Sequence, residues 1–500
     1  MTESLRPDLT NLLFITIDQL RADAVMGALH GLVPTPALDR LRREGTAFAD
    51  CLTAAVPCGP ARASLMTGLH AFNHRAIRNG SPLARHHATL GTELRKLGRE
   101  PLLFGYGDIG PDPGAYHPAD PDMATYELPA PGFREIVNMR FEAPLDWIGH
   151  LRRRGYALPE PLPQRWYDLN ASQGGGIADP ALYRAEDSDT AYLADRLLEA
   201  LDARRDGVWT AHATFIRPHP PLVAPAPFNR LCDPSAVPAP LAATVAHPFR
   251  DAWFSDPAAR GLWHGFGGDV TRLSPDQTAA LRAVYLGLVA EVDHHLGRIL
   301  HWLDERGLAE RTLLVVMADH GEMLGDQGYW GKDTPFLQAH RVPMLWRGPG
   351  VAAGHLVTGP VCTTSVAPTL LHALAAPVPP AMDGSPLQPL LAGAQADADA
   401  FALTELDLGH PHRPTRFQRA LNLTDHRANL AVWRDARWTL VHCNGGLPPM
   451  LFDRANDPEE TRDLATDPAA ATTIARLRTA MLDHRMTRAD RRLTGFSIGA

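Results

Sequence analysis

Lysine is nearly absent from this 500-residue chain. Of its 48 basic residues, 46 are arginine, and only Lys96 and Lys332 are lysine. A compact ammonium group and a broad guanidinium group are not interchangeable, so a position that keeps lysine against this bias is a candidate for a specific role. Cysteine is also scarce, with five residues and no Cys-x-x-Cys pair. This pattern excludes a disulfide framework and a cage of paired zinc ligands.

Long apolar runs are missing as well. No stretch reaches the roughly 18 residues that would span a bilayer. The amino-terminal sequence MTESLRPDLT lacks the basic and apolar regions of a signal peptide. A net charge of -8 gives no reason to expect nucleic acid or an anionic membrane as a partner. We therefore expect a soluble cytoplasmic enzyme that binds neither.

The overall composition is that of a folded protein, with 45% hydrophobic and 21% charged residues. Short apolar runs predict buried strands at residues 12–17, 101–106, 210–216, 313–317 and 342–346. Helical stretches lie between them. The clearest begins at Ser274 with Pro275 and Gln277 in capping positions, and Gly307 ends it. Alternating strands and helices predict an α/β sandwich.

The last part of the chain has a different character. Residues 428–453 have the pattern of antiparallel strands and turns, and a helix is predicted near 465–488. Three tracts rich in Pro and Gly are predicted to be surface loops or links: residues 108–135, 217–240 and 375–389. We therefore predict a catalytic domain at 1–384 and a smaller α+β subdomain at 385–500.

Polar residues directly follow two of the predicted strands. Asp18-Gln19 comes after the first strand, and Asp319-His320 comes after the strand at 313–317. Ligands of open α/β sheets bind at the carboxyl ends of the strands. Two carboxylates, an amide oxygen and an imidazole could hold one divalent ion. The alternative is that Asp18 only caps the next helix.

A third segment is VPCGPARASLMTG, residues 56–68. A helix is predicted to start near Ala61, so Cys58 would lie where helix N–H groups favour negative charge, and Arg62 adds a cation. The segment therefore predicts an anion site that contains a nucleophile. A buried free cysteine beside a surface arginine is the simpler alternative.

The C-x-P-x-R core at Cys58 with the downstream Leu-Met-Thr-Gly resembles the sulfatase signature of the alkaline phosphatase superfamily. Asp18-Gln19 and the ADHGE sequence at 318–322 occur in the order of that family. The sequences at 382–391 and 451–465 resemble its late landmarks. The resemblance implies an alkaline-phosphatase-like α/β sandwich with a large mixed central sheet, and formylglycine made from Cys58 after translation.

Four further stretches resemble the phosphonate monoester hydrolases of this superfamily, at 73–83, 103–113, 217–231 and 328–336. The resemblance implies one divalent metal ion, with Mn²⁺ expected before Ca²⁺, Mg²⁺ or Zn²⁺. It implies as metal ligands Asp18, Gln19, modified Cys58, Asp319 and His320. It implies as groups around the transferred anion Arg62, Asn79, Tyr106, His219 and Lys332, of which Asn79 and Tyr106 bind substrate.

Individual roles follow from this resemblance. His219 is expected to be a general acid for the leaving group, because histidine titrates near neutral pH. The alternative interpretation is that His219 only packs within a proline-rich loop. Glu322 is expected to orient His320 or its loop. Gly107 is a departure, since the phosphonate hydrolases carry Thr there, and we expect one substrate donor to be missing.

Three functions remain open at this point. The first is a metal-dependent, formylglycine-type hydrolase of phosphonate monoesters and phosphodiesters, promiscuous toward sulfate monoesters. The second is an aryl- or alkylsulfatase, including the choline-sulfatase type, with phosphorus ester hydrolysis as a side activity. The third is a non-catalytic metal- or anion-binding homologue. The expected partners are a small anionic ester, transiently a formylglycine-generating enzyme, and further copies of the chain in a homo-oligomer, a tetramer by resemblance.

Overall fold

The structure is a computed structural model. It describes residues 9–140, 142–159, 169–170, 174–242, 244–256, 269–490, 492 and 494. Two β-sheets organise this part of the chain, a nine-stranded sheet and a five-stranded sheet.

The nine-stranded sheet forms the centre of the fold. Its strands are β1 (Asn11–Ile17), β2 (Thr46–Leu52), β4 (Pro101–Gly105), β5 (Arg134–Asn138), β6 (Thr210–Phe215), β7 (Thr312–Ala318), β8 (Arg341–Arg347), β9 (His355–Val357) and β10 (Val361–Cys362). They are arranged as β10-β2-β8-β7-β1-β6-β4-β5, with β9 also paired to β2. All five strands that the apolar runs predicted lie in this sheet. Strand β1 is buried along its whole length, as expected for a central strand covered on both faces.

The sheet is mixed, as expected. Neighbours from β7 to β5 are parallel, whereas β8 runs antiparallel to both β7 and β2. The carboxyl ends of β1, β4, β6 and β7 therefore lie along one edge. That edge carries the polar residues that the sequence pointed to.

Helices cover this sheet and the second one. In the described part of the chain they are Asp23–Met26, Pro36–Glu44, Cys58–Thr67, Ala71–His74, Leu90–Lys96, Leu145–Arg153, Asp189–Asp202, Pro248–Phe254, Pro275–Glu305, Leu337–His340, Val366–Ala373, Gln388–Leu391, Arg416–Leu421 and Ala471–Arg488. The longest begins at the predicted capping box, in which Ser274 and Gln277 bond reciprocally. Its end precedes Gly307, whose φ of 61° only glycine adopts readily. No helix among the described residues has the length and apolarity that a membrane crossing requires.

The five-stranded sheet is built mostly from the last part of the chain. Its order is β14-β13-β12-β11-β3, with β11 (Phe401–Asp407), β12 (Asn429–Asp435), β13 (Trp438–Cys443) and β14 (Met450–Asp453) antiparallel in sequence. The predicted terminal helix is present at Ala471–Arg488. The fifth strand, β3 (Ala55–Val56), pairs in parallel with β11 and comes from the amino-terminal region. The division at residues 384 and 385 stays a prediction.

Candidate active site

The site forms where three parallel strands end. Asp18 follows β1, Tyr106 follows β4 directly, and Asp319 follows β7. Because these strands are neighbours or next neighbours in the sheet, residues far apart in sequence meet. The backbone N–H of Gln19 donates to Asp319 Oδ1 at 3.2 Å. The predicted convergence of the two polar pairs is therefore confirmed.

Cys58 enters the site from the other sheet. Strand β3 is bonded to β11, and Pro57 then leads into the helix Cys58–Thr67. The prediction that this helix starts near Ala61 was wrong, because Cys58 is already its first residue. All ten residues of the helix are buried. Residue 58 therefore lies in the first turn of a buried helix, and Asn79 Oδ1 accepts the N–H of Gly59 at 2.9 Å.

Four side chains form a buried group that could hold a metal ion. The group consists of Asp18, Cys58, Asp319 and His320, whose ligand atoms all lie within 4.8 Å of one another. His320 Nε2 is 3.2 Å from Cys58 Sγ, and 3.7 Å from both Asp18 Oδ1 and Asp319 Oδ1. Asp18 Oδ1 is buried and has no hydrogen-bond partner. A buried carboxylate oxygen without a donor is costly unless a cation satisfies it, so these residues fit a divalent metal ion.

His320 is prepared to act as a ligand. Its Nδ1 lies 3.0 Å from the carbonyl oxygen of Gly321, which makes Nδ1 the protonated nitrogen and leaves Nε2 with a lone pair. Burial lowers the pKa of His320 to about 4, although Asp319 opposes that shift. The imidazole is therefore neutral at physiological pH, which is the form that binds metals.

Gln19 lies beside this group with its oxygen bonded to a lysine. Lys332 Nζ donates to Gln19 Oε1 at 2.8 Å and to Cys58 Sγ at 2.9 Å. The Gln19 side-chain N–H donates to Glu322 Oε2. Glu322 Oε1 accepts the backbone N–H groups of Leu324 at 2.9 Å and Gly331 at 2.6 Å. Glu322 therefore orients Gln19 and the loop that carries His320, which is the second of the two roles expected for it.

Arg62 ties the metal-binding carboxylates together. It is 2% exposed. It donates from Nη2 to Asp18 Oδ2 and from Nε to Asp319 Oδ2, both at 2.9 Å. The Tyr106 hydroxyl also donates to Asp18 Oδ2 and accepts Arg62 Nη2 at 2.8 Å. Burial opposes the charge of Arg62, yet Tyr106 and the three nearby carboxylates raise its pKa above the ordinary value, so it stays a cation.

The Cys58 thiol is not activated by this environment. Burial raises its pKa well above the ordinary value, and Asp18 adds to that increase, whereas Lys332 opposes it. The sulfur thus carries a proton at neutral pH and is a poor nucleophile. Burial opposes the charge of Lys332, yet the nearby Asp18 and Asp319 raise its pKa, so Lys332 keeps its proton.

His219 lies on the loop after β6, next to the site. His219 and Lys332 both line one cavity of about 420 Å³, together with Gln19. Its Nδ1 is 2.6 Å from the Pro220 carbonyl oxygen, which places a proton on Nδ1. Burial and the charge of Lys332 lower the pKa of His219 well below the ordinary value. His219 is therefore neutral here, and an anionic substrate has to raise its pKa for it to act as an acid.

The same cavity extends away from the reacting groups toward the second sheet. Its outer wall contains Trp253, Arg416 and Phe417. The Arg416 guanidinium lies 4.5 Å from the ring centre of Trp253 and 5.1 Å from that of Phe417. A larger cavity of about 620 Å³ lies between the terminal helix and the second sheet, and none of the predicted site residues lines it.

Sequence reasoning missed Asp108. This residue is 5% exposed, and its Oδ2 is 3.5 Å from Arg62 Nε. Burial raises the pKa of Asp108 to about 7, with Arg62 opposing the shift and Asp18 adding to it. The signal available in the sequence was its place two residues after Tyr106 at the end of β4. A lone Asp in a Gly- and Pro-rich tract is, however, typical of a turn.

The mixed sheet, the buried metal-binding group at the carboxyl ends of its strands and the similarity to known proteins together identify the class, a metal-dependent ester hydrolase with an alkaline-phosphatase-like fold. The family model described as Sulfatase matches residues 10–376. The chain belongs to the sulfatase family, and both the predicted family and the predicted fold are confirmed.

Three relatives are similar over nearly the whole chain. The structure of a phosphonate monoester hydrolase from Silicibacter pomeroyi superposes with a TM-score of 0.90 at 43% identity, covering 98% of this chain and 97% of that one. The multifunctional alkaline phosphatase superfamily protein PehA of Trinickia caryophylli is 34% identical, covering 97% of each chain. The choline-sulfatase of Rhizobium meliloti (strain 1021) is 26% identical, covering 92% of this chain and 83% of that protein.

Proposed function

We propose that this enzyme is a formylglycine-dependent hydrolase of phosphonate monoesters and phosphodiesters that also accepts sulfate monoesters. The observation that carries the proposal is the position of residue 58. It begins a buried helix, 2.9 Å from the Lys332 ammonium and 3.2 Å from His320 Nε2, inside the metal-binding group. The similarity to phosphonate monoester hydrolases supports the phosphorus substrates, and the similarity to the multifunctional protein PehA supports activity on more than one kind of ester.

Asp18, Gln19, Asp319, His320 and modified residue 58 would hold one divalent ion, for which we propose Mn²⁺ before Ca²⁺, Mg²⁺ or Zn²⁺. Such an ion supplies Lewis acidity toward the anionic oxygens and toward the attacking hydroxyl. The donor set is rich in oxygen with a single imidazole, which suits these hard or borderline cations. Arg62 holds Asp18 and Asp319 in position through its two hydrogen bonds of 2.9 Å.

Formylglycine at position 58 would supply a hydrated aldehyde, with one hydroxyl for attack and a second for release of the transferred group. The chain contributes the charge that this chemistry needs. Lys332 faces residue 58 as a cation and stabilises the negative oxygens of the transferred group, more so as their charge shifts in the transition state. Because the unmodified thiol is protonated and buried, the modification itself is what makes position 58 reactive.

The remaining proposed residues surround the transferred group. The side-chain oxygen of Asn79 accepts a hydrogen bond from the Gly59 N–H. The NH₂ group of Asn79 can then donate to an anion. The Tyr106 hydroxyl is shared with Asp18 and Arg62. His219 lines the cavity with Nδ1 bonded to Pro220, so Nε2 is the nitrogen that would take up a proton and donate it to the leaving oxygen.

A sulfatase is the second candidate. The similarity to a choline-sulfatase over 92% of this chain favours it. A phosphonate monoester, a phosphodiester and a sulfate monoester are all monoanions with similar oxygen geometry. The cations around residue 58 therefore accept all three, and only their relative kcat/KM values assign the main activity.

The modification is tested by peptide mass spectrometry across Cys58 on protein from its native host. The proposal expects loss of the thiol mass and appearance of the aldehyde or its hydrate. Cys58→Ala should abolish turnover, whereas Cys232→Ala, at a cysteine outside the site, should not. A fully unmodified thiol in active protein would contradict the formylglycine mechanism.

The substrate is tested by measuring kcat/KM for an aryl phosphonate monoester, an alkyl aryl phosphodiester and an aryl sulfate with the same leaving group. A preference for the phosphorus esters supports the first candidate. A preference for the sulfate by several orders of magnitude makes the protein a sulfatase.

We further propose a cytoplasmic homotetramer that meets a formylglycine-generating enzyme only during maturation. The resemblance to the phosphonate monoester hydrolases supports the oligomer. Light scattering coupled to size-exclusion chromatography tests it, and a mass equal to one chain of 54.5 kDa would contradict it.

A further inference from the structure

Asp108 is a carboxyl group that the proposed chemistry does not use. It is buried beside Arg62, with 3.5 Å between its Oδ2 and Arg62 Nε. Asp18 and Asp319 already engage the same guanidinium at 2.9 Å each. One arginine therefore faces three carboxyl groups, of which two belong to the metal-binding group and the third does not.

The backbone around Asp108 is fixed in a way that directs this side chain inward. Gly107 N–H donates to the Glu127 carbonyl, and Ile109 N–H donates to the Leu128 carbonyl, both at 3.2 Å. A Cβ at position 107 would lie 2.0 Å from the Leu128 oxygen, so only glycine fits there. The donor that we expected to be missing at Gly107 therefore has no room in this fold, and Asp108 is the residue of this turn that reaches the site.

Asp108 itself has a φ of 56°, in the left-handed region. That conformation is uncommon for residues other than glycine, and Asp and Asn are among those that tolerate it. Such backbone conformations cluster at functional sites, where the surrounding structure maintains them. Burying a third carboxyl group in this uncommon conformation is costly, which indicates that the charge of Asp108 has a function.

The charge of the site supplies that function. Arg62 is already engaged by Asp18 and Asp319, so Asp108 adds negative charge that no further arginine contact offsets in the described residues around it. In a buried site, like charges repel more strongly than in water. A substrate with a second negative charge must either bind against this repulsion or bind with uptake of a proton by Asp108. A substrate with one negative charge avoids most of that cost.

We propose that Asp108 makes the site selective for singly charged esters and against doubly charged ones such as phosphate monoesters. This inference rests on the proposed function, because it specifies which anions that same site accepts. Asp108 determines substrate specificity through its charge. It is not one of the reacting groups, which are residue 58, Lys332 and His219. Burial is the main cause of the raised pKa of Asp108, Arg62 opposes the shift, and the neighbouring Asp18 adds to it.

The experiment compares two 4-nitrophenyl esters at pH 8, a methylphosphonate that is a monoanion and a phosphate monoester that is a dianion. Asp108→Asn removes the charge, keeps the size of the side chain and tolerates the same backbone conformation. We expect the ratio of kcat/KM for the dianion over the monoanion to rise at least about tenfold in this variant.

Two further variants separate charge from structure. Asp108→Glu keeps the charge, so the ratio should stay near the wild-type value even if both rates fall. Asp112→Asn, on the same loop but outside the site, should leave both rates unchanged. If Asp108→Asn leaves the ratio unchanged, or if Asp108→Glu raises it equally, the inference is overturned.

The proposed function fails in a different way. If the wild-type enzyme hydrolyses neither the methylphosphonate nor any other monoanionic ester, both the function and the inference are wrong. If it hydrolyses them and the ratio does not respond to the charge at position 108, only the inference is wrong.

Discussion

The ammonium group of Lys332 lies 2.9 Å from the sulfur of Cys58. These residues are 274 positions apart in the chain, and Lys332 is one of only two lysines among 48 basic residues. The other, Lys96, has an exposed side chain at the end of the helix Leu90–Lys96 and pairs with the buried Glu93. Of the two lysines that the sequence singled out, one therefore lies at the site and the other at the surface. Lys96 can serve as the control for mutagenesis of Lys332.

Lys332→Ala should lower kcat by about 10²–10³, because it removes one preorganised cation facing the transferred group. Lys332→Arg should not restore the rate, since a planar guanidinium cannot occupy the position of a compact ammonium between Gln19 and Cys58. Steady-state kinetics on a phosphonate monoester measure both effects. Lys96→Ala is the control, and an equal loss in that variant would contradict a role specific to Lys332.

His219→Ala should slow esters with poor leaving groups more than those with good ones. An acid is needed most when the departing oxygen is strongly basic, and general acid catalysis contributes about 10²–10⁴. The comparison is kcat/KM for phenyl and 4-nitrophenyl methylphosphonate in the wild type and the variant. His301→Ala, at an exposed histidine paired with Glu305, serves as the control. Equal losses for both esters would indicate a packing role for His219.

Removal of the metal should abolish activity and lower the melting temperature. A ligand that binds only the folded state at 100 times its Kd stabilises by about 2.7 kcal/mol, which corresponds to roughly 3 °C for a chain of this size. Calorimetry before and after chelation measures the shift, and readdition of Mn²⁺ should reverse it. In Asp319→Asn the chelator should have little further effect. Full activity with less than one metal ion per ten chains would contradict the prediction.

Asp187 should make stability depend on pH under acidic conditions. Burial by itself would raise its pKa, but hydrogen bonds from Tyr156, His150, Arg184 and Arg154 outweigh that effect and lower the pKa to about 2. A folded-state pKa below the unfolded value of about 3.9 stabilises the protein above that value, and the contribution disappears as the pH falls toward 2. Its size is on the order of 2 kcal/mol.

Urea unfolding of Asp187→Asn tests this at pH 7 and at pH 3. The difference in free energy of unfolding from the wild type should be largest at pH 7 and should shrink as the pH falls. Asp206→Asn, at a carboxylate that is 93% exposed, is the control and should show no such dependence. A difference that stays constant with pH would show that the carboxylate charge is not what stabilises this contact.

Features that depend on a few neighbouring residues were readable from the sequence. The apolar runs predicted β1, β4, β6, β7 and β8 within about a residue at each end, because a strand buried on both faces needs continuous apolar side chains. The capping box at Ser274 predicted the start of the long helix, since its two hydrogen bonds are local. The seven-residue strands β2 and β11 and the shorter strands β3, β5, β9 and β10 carry no such run and were not predicted.

The tertiary structure alone decided how distant groups combine. Strand β3 has two residues, so only its pairing with β11 places it in the second sheet and sets the start of the helix at Cys58. Glu322 contacts Gln19, 303 positions away, and Asp108 faces Arg62 only because the loop at 127–128 fixes the turn around it. Local patterns set which segments are strands and helices. The environment of each carboxylate depends instead on which strand ends the sheet brings together, and that environment sets the charge of the site and the substrates it selects.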